Sequence, residues 1–384
     1  MILGSRTRRS RGLICLIALG ARGGVLTAVK HMSLIFEELG FKSIIIDNRS
    51  LLSRNCLSLC DVVHVNGFLS ILDTAKILIY AREKTKIITL HGWVIDEAKL
   101  YLFVSEENVF KRVMRFLFTY VNWLIHKLIV IPLFYDLVTS VSDITARKNK
   151  IKSIVIRNPL VPALVNEKIN KCDISINKKQ DEIIGVTYVS IGGNKILSIP
   201  RLVKLILKVN ASLKNMGSNK RVKLYIFGKD LPKRLVKIIS NTPCIKYVGF
   251  SDCFLSYLKQ ADIMVLGYTM PELGYAVLEA AYLGIPIAKF TEDPDEEELV
   301  NQINAIIARE EKEMIEKLVY FVTNIDKLKP MLGNNIRDHI LKTHLKQIKF
   351  QWRLILENVL EKGSHKRKVS VFDDRRKAIY LFVV

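Results

Sequence analysis

Glu272 and Glu279 flank a glycine in the stretch Pro271-Glu272-Leu273-Gly274-Tyr275-Ala276-Val277-Leu278-Glu279-Ala280-Ala281-Tyr282-Leu283-Gly284-Ile285-Pro286. Two carboxylates so placed can accept hydrogen bonds from the hydroxyl groups of a ligand. Gly274 is expected to take backbone angles closed to other residues, and an apolar helix begins after it at Tyr275. The N–H groups of that first turn lack helical partners and would face whatever lies before the helix, which makes Gly274 and Tyr275 a seat for phosphate. A carboxylate between Leu278 and Ala280 is costly to bury without a partner. A ribose diol is one such partner, and hydrogen bonds to a charged acceptor contribute about 1.5–3 kcal/mol. Glu272 has the plainer alternative of a solvated loop carboxylate.

The elements that must position these groups are legible on either side. Asp262-Ile263-Met264-Val265-Leu266 reads as a strand, and Gly284-Ile285-Pro286 as a helix stop leading into another strand. Strand, loop, helix, strand is the unit whose carboxyl-end crevice binds nucleotides in open α/β sheets. The N-terminal half alternates in the same way. Strands are expected near 13–19, 43–47, 61–65, 86–90, 137–142 and 153–156, with helices near 25–39 and 70–83. After a polar, irregular stretch at 159–181, read as a linker, the alternation restarts at Ile183. Strands joined by helices predict parallel, doubly wound sheets, apolar throughout because both faces are covered.

Two further groups sit where such crevices open. His91 follows the strand ending at Leu90, with a hydrogen-bonded turn residue as its alternative reading. The loop Ser190-Ile191-Gly192-Gly193-Asn194-Lys195 follows the first strand of the second half. Its glycines, Gly193 among them, allow close backbone approach to a diphosphate, and Lys195 supplies a point charge. Arg201 is the next basic candidate.

The 271–286 stretch resembles the donor-site signature of retaining GT-B glycosyltransferases of family 4, also called group 1, and the likeness extends over most of the chain, from Gly12 to about Lys362. In that family a Glu, seven residues and a second Glu precede an Ala and a Gly-x-Pro. Glu279, Ala280 and Gly284-Ile285-Pro286 fit the second half, whereas Glu272 falls one residue late. The resemblance implies two Rossmann-like doubly wound domains facing a cleft, at 1–160 and 161–345, a helix at 346–362 that crosses back to the first domain, and a basic tail at 363–384. It implies that Glu279 holds the ribose of a nucleoside diphosphate sugar and Glu272 the donor sugar hydroxyls. His91 would lie near the reacting carbon, Gly24 of Gly23-Gly24 would bring backbone close to phosphate, and Lys195 would stand in for the family's basic pair. The implied activity is metal-independent transfer of a sugar, with retention, to a glycan, polysaccharide or lipid-linked hydroxyl. No cofactor and no metal are expected beyond the donor substrate. An inactive glycan- or lipid-binding protein on the same fold is the alternative.

Composition narrows the remaining classes. At 384 residues and 49% hydrophobic content the chain can bury two or three cores. Its 59 basic and 37 acidic residues leave a net charge of +22, yet no nucleic-acid-binding pattern accompanies it, so nucleic acid is not an expected partner. The six cysteines are scattered, which indicates neither a disulfide framework nor a zinc site and fits a reducing cytoplasm. The arginines before Gly12 and the apolar run after it imitate a secretion signal, but the run is strand-length and flows into a turn and helix. Phe110 to Leu133 is unusually apolar, with Lys111, Arg115, Asn122 and His126 within about 60° of helical arc. It is expected to be a core helix with one wet edge. A peripheral place at the inner face of a membrane is the second possibility it raises, together with the basic tail.

Overall fold

The computed structural model describes residues 11–21, 23–104, 107–170, 172–189, 193–229, 231–268, 273–291 and 299–362. They divide into two compact units. The first comprises 11–94, 119–161 and 345–362, and the second 95–118 and 162–344.

The first unit is built on a parallel six-stranded sheet of β1 (Leu13–Ile17), β2 (Lys42–Ile46), β3 (Val62–Asn66), β4 (Thr85–Leu90), β5 (Leu137–Ser140) and β6 (Ile154–Val155), in the order β2-β1-β3-β4-β5-β6. Its central strands are apolar on both faces because helices cover both, and Cys15, Ile17, Val63, Val65 and Ile88 fill the core. The chain lays β2 on one side of β1 and β3 on the other, so consecutive loops diverge between β1 and β3. The Leu345–Lys362 helix belongs to this unit. Its Trp352 is fully buried against Phe36 and His64, with ring centroids 5.2 and 5.1 Å away.

The second unit repeats the plan with β7 (Glu182–Tyr188), β8 (Arg221–Phe227), β9 (Ile245–Gly249), β10 (Ile263–Leu266), β11 (Ile287–Phe290) and β12 (Ile306–Ala308), ordered β12-β11-β10-β7-β8-β9. The helix Ile199–Asn215 packs Leu202, Leu205, Ile206 and Val209 onto this sheet at the i, i+3, i+4, i+7 spacing of an apolar helix face. Asp262, just before β10, accepts from Lys178 and Lys329 Nζ, each at 2.7 Å, and from the Ile184 amide at 2.8 Å, tying β10 to β7. Burial pushes the Asp262 carboxyl up, but these bonds outweigh it and hold it below its ordinary value.

Three expectations are corrected. The stretch at 159–181 is not all irregular, because Pro162–Ile169 is a helix of the second unit; proline at its first position is pre-set for a helix start. The cysteines do pair. Cys15 bonds Cys60 and Cys172 bonds Cys253, with Cα atoms 5.9 and 5.7 Å apart. The first pair is 45 residues apart in sequence and is brought together because β1 lies beside β3, a neighbour relation that spacing alone does not reveal. Finally, Val109–Phe134 is not a core helix with a wet polar edge. It runs as Val109–Ile125, a π turn at His126–Val130 and Ile131–Phe134, and its polar edge is split, with Lys111 and Arg115 exposed but the rest turned inward. His126 is buried and Asn122 half-buried, whereas Phe110, Phe118 and Leu128 are 71%, 66% and 61% exposed.

Candidate functional site

In the second sheet β8 and β9 lie to one side of β7, and β10 to β12 to the other. The connections leaving β7 and β10 therefore separate at their carboxyl ends, and a crevice must open between them. The connection after β7 carries Lys195 and that after β10 carries Gly274, so both arms of the crevice hold residues singled out from the sequence.

Gly193 opens the short helix Gly193–Leu197, from which Lys195 reaches across. Its Nζ lies 5.3 Å from the centroid of the Tyr268 ring and 3.9 Å from where a β-carbon on residue 274 would stand. Gly274 has φ −67° and ψ 161°, an extended conformation open to any residue, which corrects the expectation of special backbone angles. What its missing side chain does is leave room beside the lysine ammonium. The helix Tyr275–Tyr282 starts here with no side-chain cap, and its Val277 and Leu278 amides turn back to the Gly274 carbonyl. Glu272 lies outside the described residues, as do Ser190, Ile191 and Gly192 of the β7 loop.

Glu279 sits in the second turn of that helix, 6% exposed, on a segment whose other side chains are also largely buried. Its Oε1 is 3.5 Å from Lys168 Nζ on the Pro162–Ile169 helix. Burial pushes the Glu279 carboxyl above its ordinary value, and Lys168 acts in the opposite direction. Burial also raises the Tyr275 and Tyr188 phenols, and the negative field of Glu279 adds to both shifts. The Tyr282 hydroxyl donates to Asn166 Oδ1 at 3.0 Å, a second bond between the same two helices. The result is a carboxylate in a low-dielectric wall, held by one cation and open to better hydrogen-bond donors. Sequence reasoning missed Lys168, Asn166 and Tyr188. Pro162 followed by Ala-Leu-Val-Asn-Glu-Lys-Ile was the available signal for the first two.

The motif glycine at the far end of the helix is structural. Gly284 is left-handed at φ 70°, and the Gly284 and Ile285 amides bond the Ala281 and Ala280 carbonyls, a helix C-cap that only glycine adopts cheaply. Arg201 is engaged elsewhere, with its guanidinium carbon 3.4 Å from the centre of the Phe290 ring.

In the first unit, Gly24 is the first residue of the helix Gly24–Glu38, but the left-handed angle belongs to Gly23, at φ 62°. His91 follows β4, and its Nε2 lies 3.2 Å from Oδ1 of Asn66, the last residue of β3. Desolvation lowers the His91 pKa to about 4, so its ring is neutral near pH 7. Behind it His64, lowered to about 3 by burial and then by His91, bonds Thr89 Oγ1 at 2.6 Å.

The fold defines an α/β protein of the two-unit GT-B type. Residues 196–324, all in the second unit, match the family described as Glycosyl transferases group 1. No curated protein matches the chain. Among solved structures it is similar to Anabaena HepE in complex with UDP and glucose, at 14% identity and TM-score 0.62, covering 91% of this chain and 100% of that one. Sucrose-phosphate synthase from Thermosynechococcus elongatus gives 15% and 0.57 over 91% and 100% of the two chains. A glycosyltransferase from Rickettsia africae gives 14% and 0.58 over 91% and 98%.

Proposed function

We propose that the protein is a retaining glycosyltransferase of family 4 that moves a hexosyl group from a nucleoside diphosphate sugar to a hydroxyl of a glycan, polysaccharide or lipid-linked acceptor. The observation that carries this reading is the buried Glu279 at the divergence of the β7 and β10 connections, on the helix whose start faces Lys195. A ribose diol would give Glu279 the donors its burial calls for, and charge-assisted bonds of this kind are the stronger class. Lys195 and the helix start would hold the diphosphate and stabilise the charge that grows on it as the glycosidic bond breaks. Gly193, Gly274 and Tyr275 contribute backbone beside that diphosphate. Gly24 is assigned to backbone approach in the first unit, His91 to a neutral hydrogen-bond donor for the transferring sugar, and Glu272 to the sugar hydroxyls. Binding is assigned to the chain alone, with no metal and no cofactor, so a chelator should leave it unchanged. UDP is the first nucleotide to try, since HepE was solved with it.

The test is calorimetric titration with UDP-, GDP- and ADP-sugars in chelator, beside Glu279→Ala, followed by transfer assays that resolve the anomer formed. Selective binding lost in the variant supports the donor site, and a retained anomeric configuration supports the mechanism. Binding without transfer to any acceptor favours the alternative, a binding protein on the same fold, which the late position of Glu272 motivates. Equal binding by parent and variant overturns the reading. On this view the protein works in the cytoplasm, at the inner face of a membrane. A thiol count on protein taken from intact cells checks that placement: six free thiols support it, whereas intact Cys15–Cys60 and Cys172–Cys253 bonds overturn it, because structural disulfides persist in oxidising surroundings.

A further inference from the structure

The Val109–Phe134 helix is 26 residues long and apolar enough in composition to cross a bilayer, yet only 22% of its most apolar window is buried. At 100° per residue, Val113, Leu117, Phe110, Val121 and Met114 fall within about 100° of arc, and all five are exposed. Trp123, Thr119 and Phe116 lie roughly opposite and are buried or half-buried. Lys111, exposed, lies beside the bare face on one side, whereas Arg115 falls at the azimuth of Asn122 and His126.

We propose that this face is an in-plane membrane anchor whose occupant is an anionic lipid surface. Five exposed apolar side chains gathered on one helix face mark an interaction site. Charge chooses the occupant. A second copy would bring its own net charge of +22 to the contact, whereas a bilayer bearing anionic lipids complements Lys111 and the whole chain. The inner edge explains why the helix lies along the surface and does not span it. Asn122 Nδ2 donates to the Leu69 carbonyl at 3.0 Å, and His126 Nε2 lies 3.0 Å from Thr74 Oγ1. Both partners belong to the first unit, and crossing would strip these polar groups into hydrocarbon. The bare face, running from Phe110 to Val121 over about 17 Å, can enter the boundary between headgroups and acyl chains.

The experiment is flotation of the full-length protein with vesicles of phosphatidylcholine alone and of phosphatidylcholine mixed with phosphatidylglycerol. The parent should float with the anionic vesicles and be released by alkaline carbonate. Phe110→Ser with Leu117→Ser should lower partitioning by about tenfold or more, because two exposed side chains no longer enter the apolar layer. Lys111→Glu should lower it by roughly fivefold or more. Unchanged melting and donor titration show that each variant is folded, and loss of donor binding in the parent would leave the anchor standing. Three results overturn it: no flotation of the parent, equal flotation of the double variant, or resistance to carbonate extraction. A concentration-dependent dimer that the double variant dissolves, without flotation, would assign the face to a second copy instead.

Discussion

Lys168 Nζ stands 3.5 Å from Glu279 Oε1 and joins the helix Pro162–Ile169 to the helix Tyr275–Tyr282. The lysine side chain is 42% exposed and the glutamate 8%, so the pair is a buried anion met by a cation that can swing to solvent. A donor hydroxyl could take the carboxylate as the lysine yields. Lys168→Met should raise the Glu279 carboxyl further and leave less of it ionised. Donor binding should then weaken by about fivefold to tenfold near neutral pH, with its acid limb moved to higher pH. Calorimetric titration from about pH 5 to 8 checks this, and an unmoved limb would count against the coupling.

Glu279 itself carries opposite consequences for stability and for binding. Its carboxyl lies above the ordinary 4.5 in the folded protein, so between that value and its raised one the folded state holds more proton than the unfolded state. Stability is therefore lost as pH rises through this window. Glu279→Gln should melt higher than the parent near neutral pH and lose that advantage below about pH 4.5, while binding donor at least about tenfold more weakly. Thermal melts at several pH values read the first effect and titrations the second.

The histidine shift has the other sign of charge. His91 titrates near 4 when folded and near 6.5 when unfolded, so stability falls as pH drops from about 6.5 towards 4. With the ring still partly exposed, the loss is about 2 kcal/mol, and His91→Gln should remove it. The same variant should slow turnover by about a hundredfold with little change in donor affinity. NMR titration of the ring protons would show directly whether His91 is neutral at pH 6.

Lys195 and Gly274 separate a functional loss from a steric one. Lys195→Ala should weaken donor binding by about tenfold, the scale of one charge-assisted contact to phosphate. Gly274→Ala should change stability by no more than about 0.5 kcal/mol, because its backbone angles are ordinary and an added methyl meets Lys195 only at 3.9 Å. A melting curve and a titration on each variant decide.

Gly333 makes a purely structural prediction. A β-carbon there would lie 2.0 Å from the Gly284 carbonyl oxygen, because the helices Tyr275–Tyr282 and Ile325–His339 meet backbone to backbone. Gly333→Ala should cost about 2–3 kcal/mol, read as a lowered denaturant midpoint.

Much of this was legible in the chain. The apolar strands at Leu13–Ile17, Val62–Asn66 and Ile263–Leu266 fall within a residue or two of where their composition puts them, since burial on both faces leaves an unbroken hydrophobic run. The burial of Glu279 could be anticipated because it stands between Leu278 and Ala280 in an apolar helix. Its partner Lys168 could not, because a lysine in a polar stretch looks solvated until its helix is packed. The same blindness hid the Cys15–Cys60 and Cys172–Cys253 pairs, and it misled the reading of Val109–Phe134.

The sequence by itself determined periodicity, and with it the strands, the helices and the parallel α/β plan, because local patterning obeys the 2.0 and 3.6 residue repeats of those elements. Only the tertiary structure decided which neighbour each polar group met: Lys168 for Glu279, Asn66 for His91, Leu69 and Thr74 for the inner edge of an otherwise apolar helix. Those partners lie from 25 to 111 residues away along the chain, and contacts at such separations follow from strand order and helix packing, which no local pattern encodes.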